Sequence, residues 1–354
     1  MSNRTPDFTI NGQSPAAASV SQAERTIAAL RGELKDAKVS LKTAHEDLWK
    51  KQQQFDALAA IKEPVPVQPL LRVPANSARD TGLVMAIWSD WHVAERVDHR
   101  KVQGLNRYSP QIARRRAEHC AASTIRLWRH LAKSYRIDTL LLYLGGDFIT
   151  GYLHEELAQT NSMAPVEEAQ FAKELLIGGL DALAAEKSIK KLHLVCMRGN
   201  HGRTTRKMQF KNDYETSFES MIYWGLQERY EKQKRITVEV PRGDVHLLEV
   251  LPDWHVRMYH GHQVRYGDGV GGLTIPLNKW QHRQDTTRKA RFNLMGHYHN
   301  YSLPNPNTLL NGSLKGYDEY AASHGFRFEE PYQALCLVDA GRKIVAQHMP
   351  IFCQ

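Results

Sequence analysis

Histidine, aspartate and asparagine recur in five short segments of this sequence. The chain has 17 histidines among 354 residues. The segments are, in order, Asp90-Trp91-His92, Gly146-Asp147, Gly199-Asn200-His201, His260-Gly261-His262 and Gly296-His297-Tyr298-His299. Their side chains offer oxygen and nitrogen ligands but no thiolate, which suits Mn, Fe or Zn. One such segment alone is usually a surface turn, but five in series indicate a metal centre.

Each segment follows an apolar run of strand length. The runs are 83–89, 139–144, 192–198, 255–260 and 291–295. Side chains at the carboxyl ends of neighbouring strands converge on one crevice of an α/β sheet, and the glycines beside them allow sharp turns. We therefore expect the five segments to meet at one site.

Helical stretches separate these predicted strands. Ser109 caps a helix that has Pro110 in its first turn and runs to about residue 133. Pro165 begins a second helix, to about residue 186, and a third covers about 213–231. Strands alternating with helices predict a layered α/β domain. The alternating patterns at 236–250 and 334–348 predict further, antiparallel strands.

The first 80 residues divide into three parts that precede the α/β domain at 81–354. Residues 1–21 are small and polar, which predicts disorder. Residues 22–62 repeat an apolar residue every seven positions, at Ile27, Leu34, Leu41, Leu48 and Phe55. This seam predicts either a self-associating coiled coil, and so a homo-oligomer, or one amphipathic helix lying on the α/β domain. Residues 63–80 open with three prolines in seven residues, which predicts an extended linker.

Composition narrows the class of protein. Hydrophobic residues make up 42% and charged residues 24% of the chain, so a sizeable core is expected and disorder throughout is excluded. No apolar run is long enough to cross a membrane, and the first residues do not resemble a secretory signal. The four cysteines lack CxxC spacing, which favours a reducing cytoplasm over a disulfide scaffold. The net charge of +9 favours a polyanionic partner without proving one.

In this order, D-x-H, G-D, G-N-H, H and G-H-x-H resemble the motif set of the calcineurin-like metallophosphoesterases, over about residues 83–315. The resemblance implies a four-layer α/β sandwich, in which two packed mixed β-sheets are flanked by helices, with two divalent metal ions at the strand ends. It also implies that His201 is a non-ligand histidine facing the leaving group. The implied ligands form two sets with a shared carboxylate: Asp90, His92 and His299 for one ion, Asn200, His260 and His297 for the other, and Asp147 for both.

Phosphoester cleavage makes physical sense at such a site. Two cations about 3.5–4 Å apart clamp the phosphate oxygens and lower the pKa of a bridging water, which attacks in line as hydroxide. Asp147 can give one oxygen to each ion, and neutral histidines leave the site cationic enough to attract phosphate. His201 follows Asn200 directly and can protonate the leaving oxygen. Manganese is the expected metal, with iron and zinc as alternatives.

Two features depart from parts of the superfamily. Many members carry Asp or Glu directly after G-N-H, where an acid can orient the histidine and raise its pKa. This chain has Gly202, so either another carboxylate orients His201 or the leaving group needs less help. Phe148-Ile149-Thr150-Gly151 also stands where the serine/threonine phosphatases continue with V-D-R-G. Both features argue against that branch.

Basic residues follow the third motif. Arg203, Arg206 and Lys207 are predicted to hold phosphates that flank the scissile one, although a solvated basic loop gives the same pattern. The segment 154–156, His-Glu-Glu, is either part of the substrate pocket or the start of a surface helix. Several aromatic residues are candidates for base stacking or for plain packing at the rim: Trp91, Tyr152, Tyr259, Tyr266 and Tyr298.

These observations favour a nuclease or phosphodiesterase that acts on nucleic acid. The sequence around Gly-Asp-Phe-Ile-Thr-Gly and Gly-Asn-His-Gly-Arg resembles that of the DNA-repair exonuclease branch and of phage-encoded members. This resemblance implies the host cytoplasm as the location. The alternative is a phosphomonoesterase acting on a nucleotide or a phosphoprotein. A metal-stabilised scaffold without activity is a third hypothesis, which the complete set of ligand positions disfavours. Steep salt dependence of binding would distinguish a nuclease from an enzyme of small esters.

Overall fold

The computed structural model describes residues 25, 27, 30–44, 46, 69–71, 80–267, 272–286 and 288–354. The chain divides into two compact units, residues 1–67 and 68–354. In the first unit the described residues are helical, continuously over 30–44, and Leu34 and Leu41 of the heptad seam are exposed. The coiled-coil pairing remains a prediction. The predicted disorder at 1–21, the seam residues Leu48 and Phe55, and most of the linker lie outside the described residues.

The second unit contains two mixed β-sheets. One has the strand order β11-β10-β1-β2-β3-β4 and the other β5-β6-β7-β9-β8. The strands are β1 (Gly82–Trp88), β2 (Thr139–Leu144), β3 (Lys191–Cys196), β4 (Ile236–Glu239), β5 (His246–Leu251), β6 (Trp254–Met258), β7 (Phe292–Met295), β8 (Ser302–Asn305), β9 (Thr308–Leu310), β10 (Tyr332–Asp339) and β11 (Ile344–Phe352). The helices are α1 (Pro110–Leu131), α2 (Glu155–Thr160), α3 (Pro165–Ala185), α4 (Phe218–Tyr230), α5 (Thr274–Gln284) and α6 (Glu319–Ser323).

Strand β1 shows why the two sheets stack. Every residue of β1 is buried, and alternate side chains enter different cores because successive residues of a strand face opposite sides. Val84 and Trp88 pack with α1, α3 and α4. Met85 and Ile87 pack instead with residues of the second sheet, among them Val256 and Leu294. A third cluster under α5 covers the outer face of that second sheet. The predicted α/β sandwich of two sheets between helices is confirmed.

The directions of the strands place the site. Strands β1, β2, β3 and β4 run parallel to one another, and β6 runs parallel to β7. The carboxyl ends of the ligand-bearing strands in each sheet therefore lie at one edge of that sheet. The prediction of antiparallel strands after residue 236 was wrong for β4, since an alternating pattern fixes which face is buried but not the direction of pairing. It holds for β5 with β6 and for β10 with β11. Among the described residues, every helix is too short or too polar to span a membrane.

Candidate metal centre

Three of the predicted ligands form a first cluster. Asp90 and His92 follow β1 in one sheet, and His299 follows β7 in the other. The Nε2 atoms of His92 and His299 lie 3.2 Å apart, and His299 Nε2 is 3.4 Å from Asp90 Oδ1. Ligands about 2.0–2.1 Å from one ion are separated by about 3.0–3.5 Å from each other. The cluster thus has the spacing of ligands that share a metal ion.

A second cluster consists of Asp147, His260 and His297. Asp147 follows β2, and its Oδ2 atom lies 2.9 Å from Nε2 of His260, which follows β6. Asp147 also groups with His92 of the first cluster and with His201. Its carboxylate therefore stands between the two clusters, at the place where a bridging ligand is needed.

Buried atoms without partners support a metal at this place. Asn200 is predicted to complete the second ligand set, and its Oδ1 atom is buried without a hydrogen-bond partner. His260 Nε2 is buried as well, and it lies 2.9 Å from the carboxylate of Asp147. Unpaired buried polar atoms destabilise a protein unless something else binds them. A set of carboxylate, amide and imidazole donors suits two divalent ions such as Mn, Fe or Zn.

The electrostatics favour ligation by two of the histidines and by Asp147, whereas for His260 burial is outweighed by the charge of Asp147, which raises the pKa of His260 to about 10 in the absence of a metal. Burial lowers the pKa of His92 well below its ordinary value, and the nearby charge of Lys315 lowers it further. Burial likewise lowers the pKa of His297. Both imidazoles are therefore neutral and keep a lone pair for a metal. Burial alone would raise the pKa of Asp147, but the charges of His260 and His201 keep it well below the usual range, so the carboxylate is ionised.

The backbone of the ligands is unusual. Asp90, His92, Asp147, His297 and His299 all have positive φ, between 46° and 73°. Only three other non-glycine residues in the described part of the chain share this conformation. A left-handed conformation is unfavourable for a residue with a Cβ and persists where the surroundings hold it, often at functional sites. The sharp turns aim these side chains back into the crevice as each strand ends.

Two buried glutamates hold the loops after β2 and β3. Glu219 lies in the first turn of α4 and accepts hydrogen bonds from the amides of Phe148 and Gly199, both at 2.7 Å. Glu168 lies in the first turn of α3 and accepts from the amides of Thr150 and Gly151, the latter at 3.0 Å. Burial raises the pKa of both groups, to about 8 for Glu219. These carboxylates fix the backbone just after Asp147 and just before Asn200.

Glu219 also explains Gly202. A Cβ atom at position 202 would lie 2.7 Å from Cγ of Glu219 and 2.8 Å from Oγ of Ser217. The space that a side chain at position 202 would need is therefore filled by Glu219 from α4 and by Ser217. Sequence reasoning missed Glu219 and Glu168, because acidic residues are common in the first turn of any helix.

His201 is oriented by backbone and not by a carboxylate. Its Nδ1 atom lies 2.8 Å from the carbonyl oxygen of Thr150, so Nδ1 carries a proton and donates it. Its backbone amide donates to Asp147 Oδ1 at 2.8 Å, and its ring meets that of His92 edge-on at 4.8 Å. The remaining ring nitrogen, Nε2, keeps its lone pair. Burial lowers the pKa of His201, which works against its acid form.

A buried ion-pair network lies behind His92. The Nδ1 atom of His92 has no hydrogen-bond partner and lies 4.0 Å from the carboxylate of Glu95. Lys315 donates to both oxygens of Glu95, at 2.8 and 2.9 Å, and pairs with Asp318 at 2.6 Å. Burial disfavours its charge, but the two carboxylates raise the pKa of Lys315 above its ordinary value. Metal-binding histidines usually present their second nitrogen to such a carboxylate, and no motif in the sequence pointed to Glu95 or Lys315.

The predicted phosphate-binding residues lie beside Asn200 but differ in how they are held. The guanidinium group of Arg203 donates to the carbonyl oxygens of Asn200 and Thr205, each at 3.1 Å, so it closes its own loop. Arg206 and Lys207 are exposed. Of these three residues, Arg206 and Lys207 are the ones whose charges remain available to a ligand.

The remaining candidate substrate-binding residues differ in their burial and in their distance from the site. The ring of His154 lies 6.0 Å from that of His201, so this residue borders the site although it precedes the short helix α2. Trp91 and Tyr259 are core residues, which rules out base stacking for both. Tyr152 and Tyr266 are exposed, and Tyr298 is half-buried.

The fold and the site together define a two-sheet α/β protein with two neighbouring metal-ligand clusters at the strand ends. No protein-family model matches the chain, and no curated protein matches it. Two solved structures are weakly similar, each 10% identical: a protein assigned as a 5′-nucleotidase from Staphylococcus aureus, with α-ketoglutarate, and the sulfate thiohydrolase SoxB of Thermus thermophilus, with glycerol.

These similarities are too weak to carry a functional conclusion. The TM-scores are 0.34 and 0.31, over 77% and 79% of this chain. The chain spans only 55% and 58% of the lengths of these two proteins. The function proposed below therefore rests on the geometry of the site.

Proposed function

We propose that this protein is a metal-dependent phosphoric ester hydrolase of the calcineurin-like metallophosphoesterase type. One observation carries the proposal: the carboxylate of Asp147 belongs both to the cluster with His260 and His297 and to the group with His92 and His201. A carboxylate shared between two ligand clusters can hold two metal ions close together, as phosphoester hydrolysis with two metal ions needs, and His201 beside it is a candidate proton donor.

The ligands and His201 have separate tasks. Asp90, His92 and His299 would hold one divalent ion, Asn200, His260 and His297 would hold the other, and Asp147 would be shared by both. When bound, the two ions neutralise charge on the phosphate and activate the attacking water. Thr150 fixes the ring of His201 so that Nε2 faces the leaving oxygen. To donate a proton, Nε2 must be protonated against the effect of burial, and the negative charge of a phosphodiester held beside the ring favours the protonated form.

Nucleic acid is the proposed substrate class, with hydrolysis of phosphodiester bonds as the reaction. Arg206 and Lys207 are exposed next to the loop of Asn200 and His201, where they can bind phosphates that flank the scissile one. The net charge of +9 favours a polyanionic substrate over a small neutral ester. The kinship with the DNA-repair exonuclease and phage-encoded branch, and a cytoplasmic location, belong to this proposal and rest on the sequence motifs.

A substrate panel tests the proposal. The full chain, loaded in turn with Mn, Zn, Fe(II) or Mg, is incubated with labelled single-stranded DNA, duplex DNA and RNA, and with a chromogenic monoester and diester. We expect cleavage of nucleic acid and of the diester, with highest activity in Mn. Hydrolysis of the monoester alone would replace the nuclease by a phosphomonoesterase. A protein that binds two ions and hydrolyses none of the five substrates would contradict an enzymatic role.

A further inference from the structure

A basic recess lies outside the metal centre. It has a volume of about 490 Å³ and lies between the loop that precedes α1, the first half of α1 and the residues Cys353 and Gln354. The cationic and titratable residues that line it are Arg107, Arg115, Arg116, His99 and His119. No aspartate or glutamate side chain is among the described residues that line it. Such a surface disfavours a cation and favours an anion.

The three arginines of the recess differ in the hydrogen bonds that they make. Arg116 is buried, and its guanidinium group donates to the carbonyl oxygens of Leu314 and Lys315, at 3.0 and 2.7 Å. Arg107 contacts Nδ1 of His99 at 3.2 Å. Arg115 is exposed and makes no hydrogen bond or ion pair with the described residues. The recess thus has a rigid cationic floor and at least one guanidinium group free to bind a ligand.

The floor of the recess and the metal centre are joined by one segment. The carbonyl oxygen of Leu314 accepts a hydrogen bond from Arg116, and the amide of Leu314 donates one to the carbonyl oxygen of Asp90 at 3.1 Å. The carbonyl oxygen of Lys315 accepts hydrogen bonds from Arg116 and Asn106. The amine of the same residue donates to Glu95, which lies behind His92. A ligand in the recess therefore binds next to the scaffold of the first ligand cluster.

From this geometry we propose that the recess is a phosphate-binding site that holds the backbone of a nucleic-acid strand away from the scissile bond. Planar guanidinium groups bind phosphate oxygens in pairs, and arginine is the usual residue at such sites. This proposal rests on the proposed function and adds a second place where the same class of substrate is bound. A free nucleotide offers the same phosphate chemistry, so the test must separate the two sources.

The test measures binding without catalysis. The full chain in EDTA is titrated with labelled single-stranded DNA and RNA over a range of salt concentrations, for wild type, Arg115→Ala and the double variant Arg107→Ala/Arg115→Ala. Arg114→Ala is the matched control, since Arg114 neighbours Arg115 on α1 but lies over the ring of Phe171 instead. Loss of one charged contact should weaken binding about tenfold at low salt. It should also reduce the slope of log K against log salt by about 0.7.

The outcomes are decisive for the recess and separable from the proposed function. Equal binding by Arg115→Ala, Arg114→Ala and wild type overturns the site. Oligonucleotide binding that is unaffected by Arg115→Ala, together with AMP or inorganic phosphate binding that is lost, overturns the assignment to a nucleic-acid strand. If affinity depends on Arg115 but the metal-loaded protein cleaves no nucleic acid, the recess stands and the nuclease proposal fails. Unchanged turnover of the small diester and an unchanged melting temperature show that each variant is folded.

Discussion

The ligand loops and the basic loop after them lie side by side but are built differently. The loops that carry Asp147 and Asn200 are anchored by Glu168 and Glu219. The buried carboxylates of these glutamates accept hydrogen bonds from backbone amides of the loops. The loop with Arg206 and Lys207 is exposed and is tied mainly to itself, through Arg203. Catalytic groups must be held within a fraction of an ångström, because a small misplacement costs much of the rate. Charges that bind a flexible polymer need no such precision.

Because the two regions are held differently, substitutions in them should differ in how strongly they affect activity. A change among the anchored residues should alter metal binding or chemistry by orders of magnitude. A change in the exposed loop should alter affinity modestly and in a way that depends on salt.

The largest effect is expected for Asp147→Asn. Loss of the charge shared by both clusters weakens both ions together, so turnover should fall almost to background and metal content should drop. Metal analysis of the purified variant and a diester assay measure this. Asp253→Asn is the control, since Asp253 also has positive φ but is exposed and outside the clusters. Two ions retained with near-normal turnover would remove Asp147 from the bridging role.

His201→Ala should leave both ions in place and lower the rate by about 10²–10⁴, the usual range for a positioned acid or base. A substrate with a very good leaving group should be nearly unaffected, because that group departs without a proton. The measurement is kcat for a series of esters with leaving groups of different pKa. If good and poor leaving groups are slowed equally, His201 does not act as the acid.

Glu95→Gln should affect the first cluster selectively. A carboxylate behind a histidine ligand supports its orientation and basicity, and its removal usually costs about 10–100-fold in metal affinity or activity. Titration of Mn into the metal-free protein should therefore show one weakened site and one unchanged site. Glu167→Gln, at an exposed position of α3, is the control. Two unchanged affinities would mean that the pair of Glu95 and Lys315 serves the fold alone.

The smallest effect is expected for Arg206→Ala/Lys207→Ala. Two exposed charges should contribute several-fold to nucleic-acid binding, and their loss should lower the salt slope by about 1.4–1.8. Turnover of the small diester should not change, because neither residue belongs to the clusters. Filter binding at several salt concentrations measures the slope. A large loss of diester turnover would show that this loop also positions the catalytic groups.

The sandwich and most of the site could be predicted from sequence for physical reasons. A strand buried on both faces is apolar throughout, so β1 and β2 were visible as runs, and the ligands follow such runs directly. Short partly exposed elements have no such signal. Strand β8 was not predicted, and α2 appeared only as one of two alternatives for the segment 154–156.

Glu95 and Lys315 were beyond prediction for another reason. They lie 220 residues apart in the chain, and each is an ordinary charged residue in its local sequence. Only the packing of the segment after β9 against the loop after β1 makes them a buried pair. Glu219 was hidden in the same way, since its local sequence suggests only a helix start.

The first cluster draws ligands from both sheets, and this has a consequence for folding. His92 and His299 are 207 residues apart in the chain, yet their Nε2 atoms lie 3.2 Å from each other. An ion held by both would act as a reversible cross-link, comparable to a disulfide, that closes a very long loop. Such a closure removes conformational entropy from the denatured chain, by an amount that grows only slowly with loop length. Chelation should then act like reduction of a disulfide, lowering the melting temperature and increasing amide exchange first where the two sheets meet.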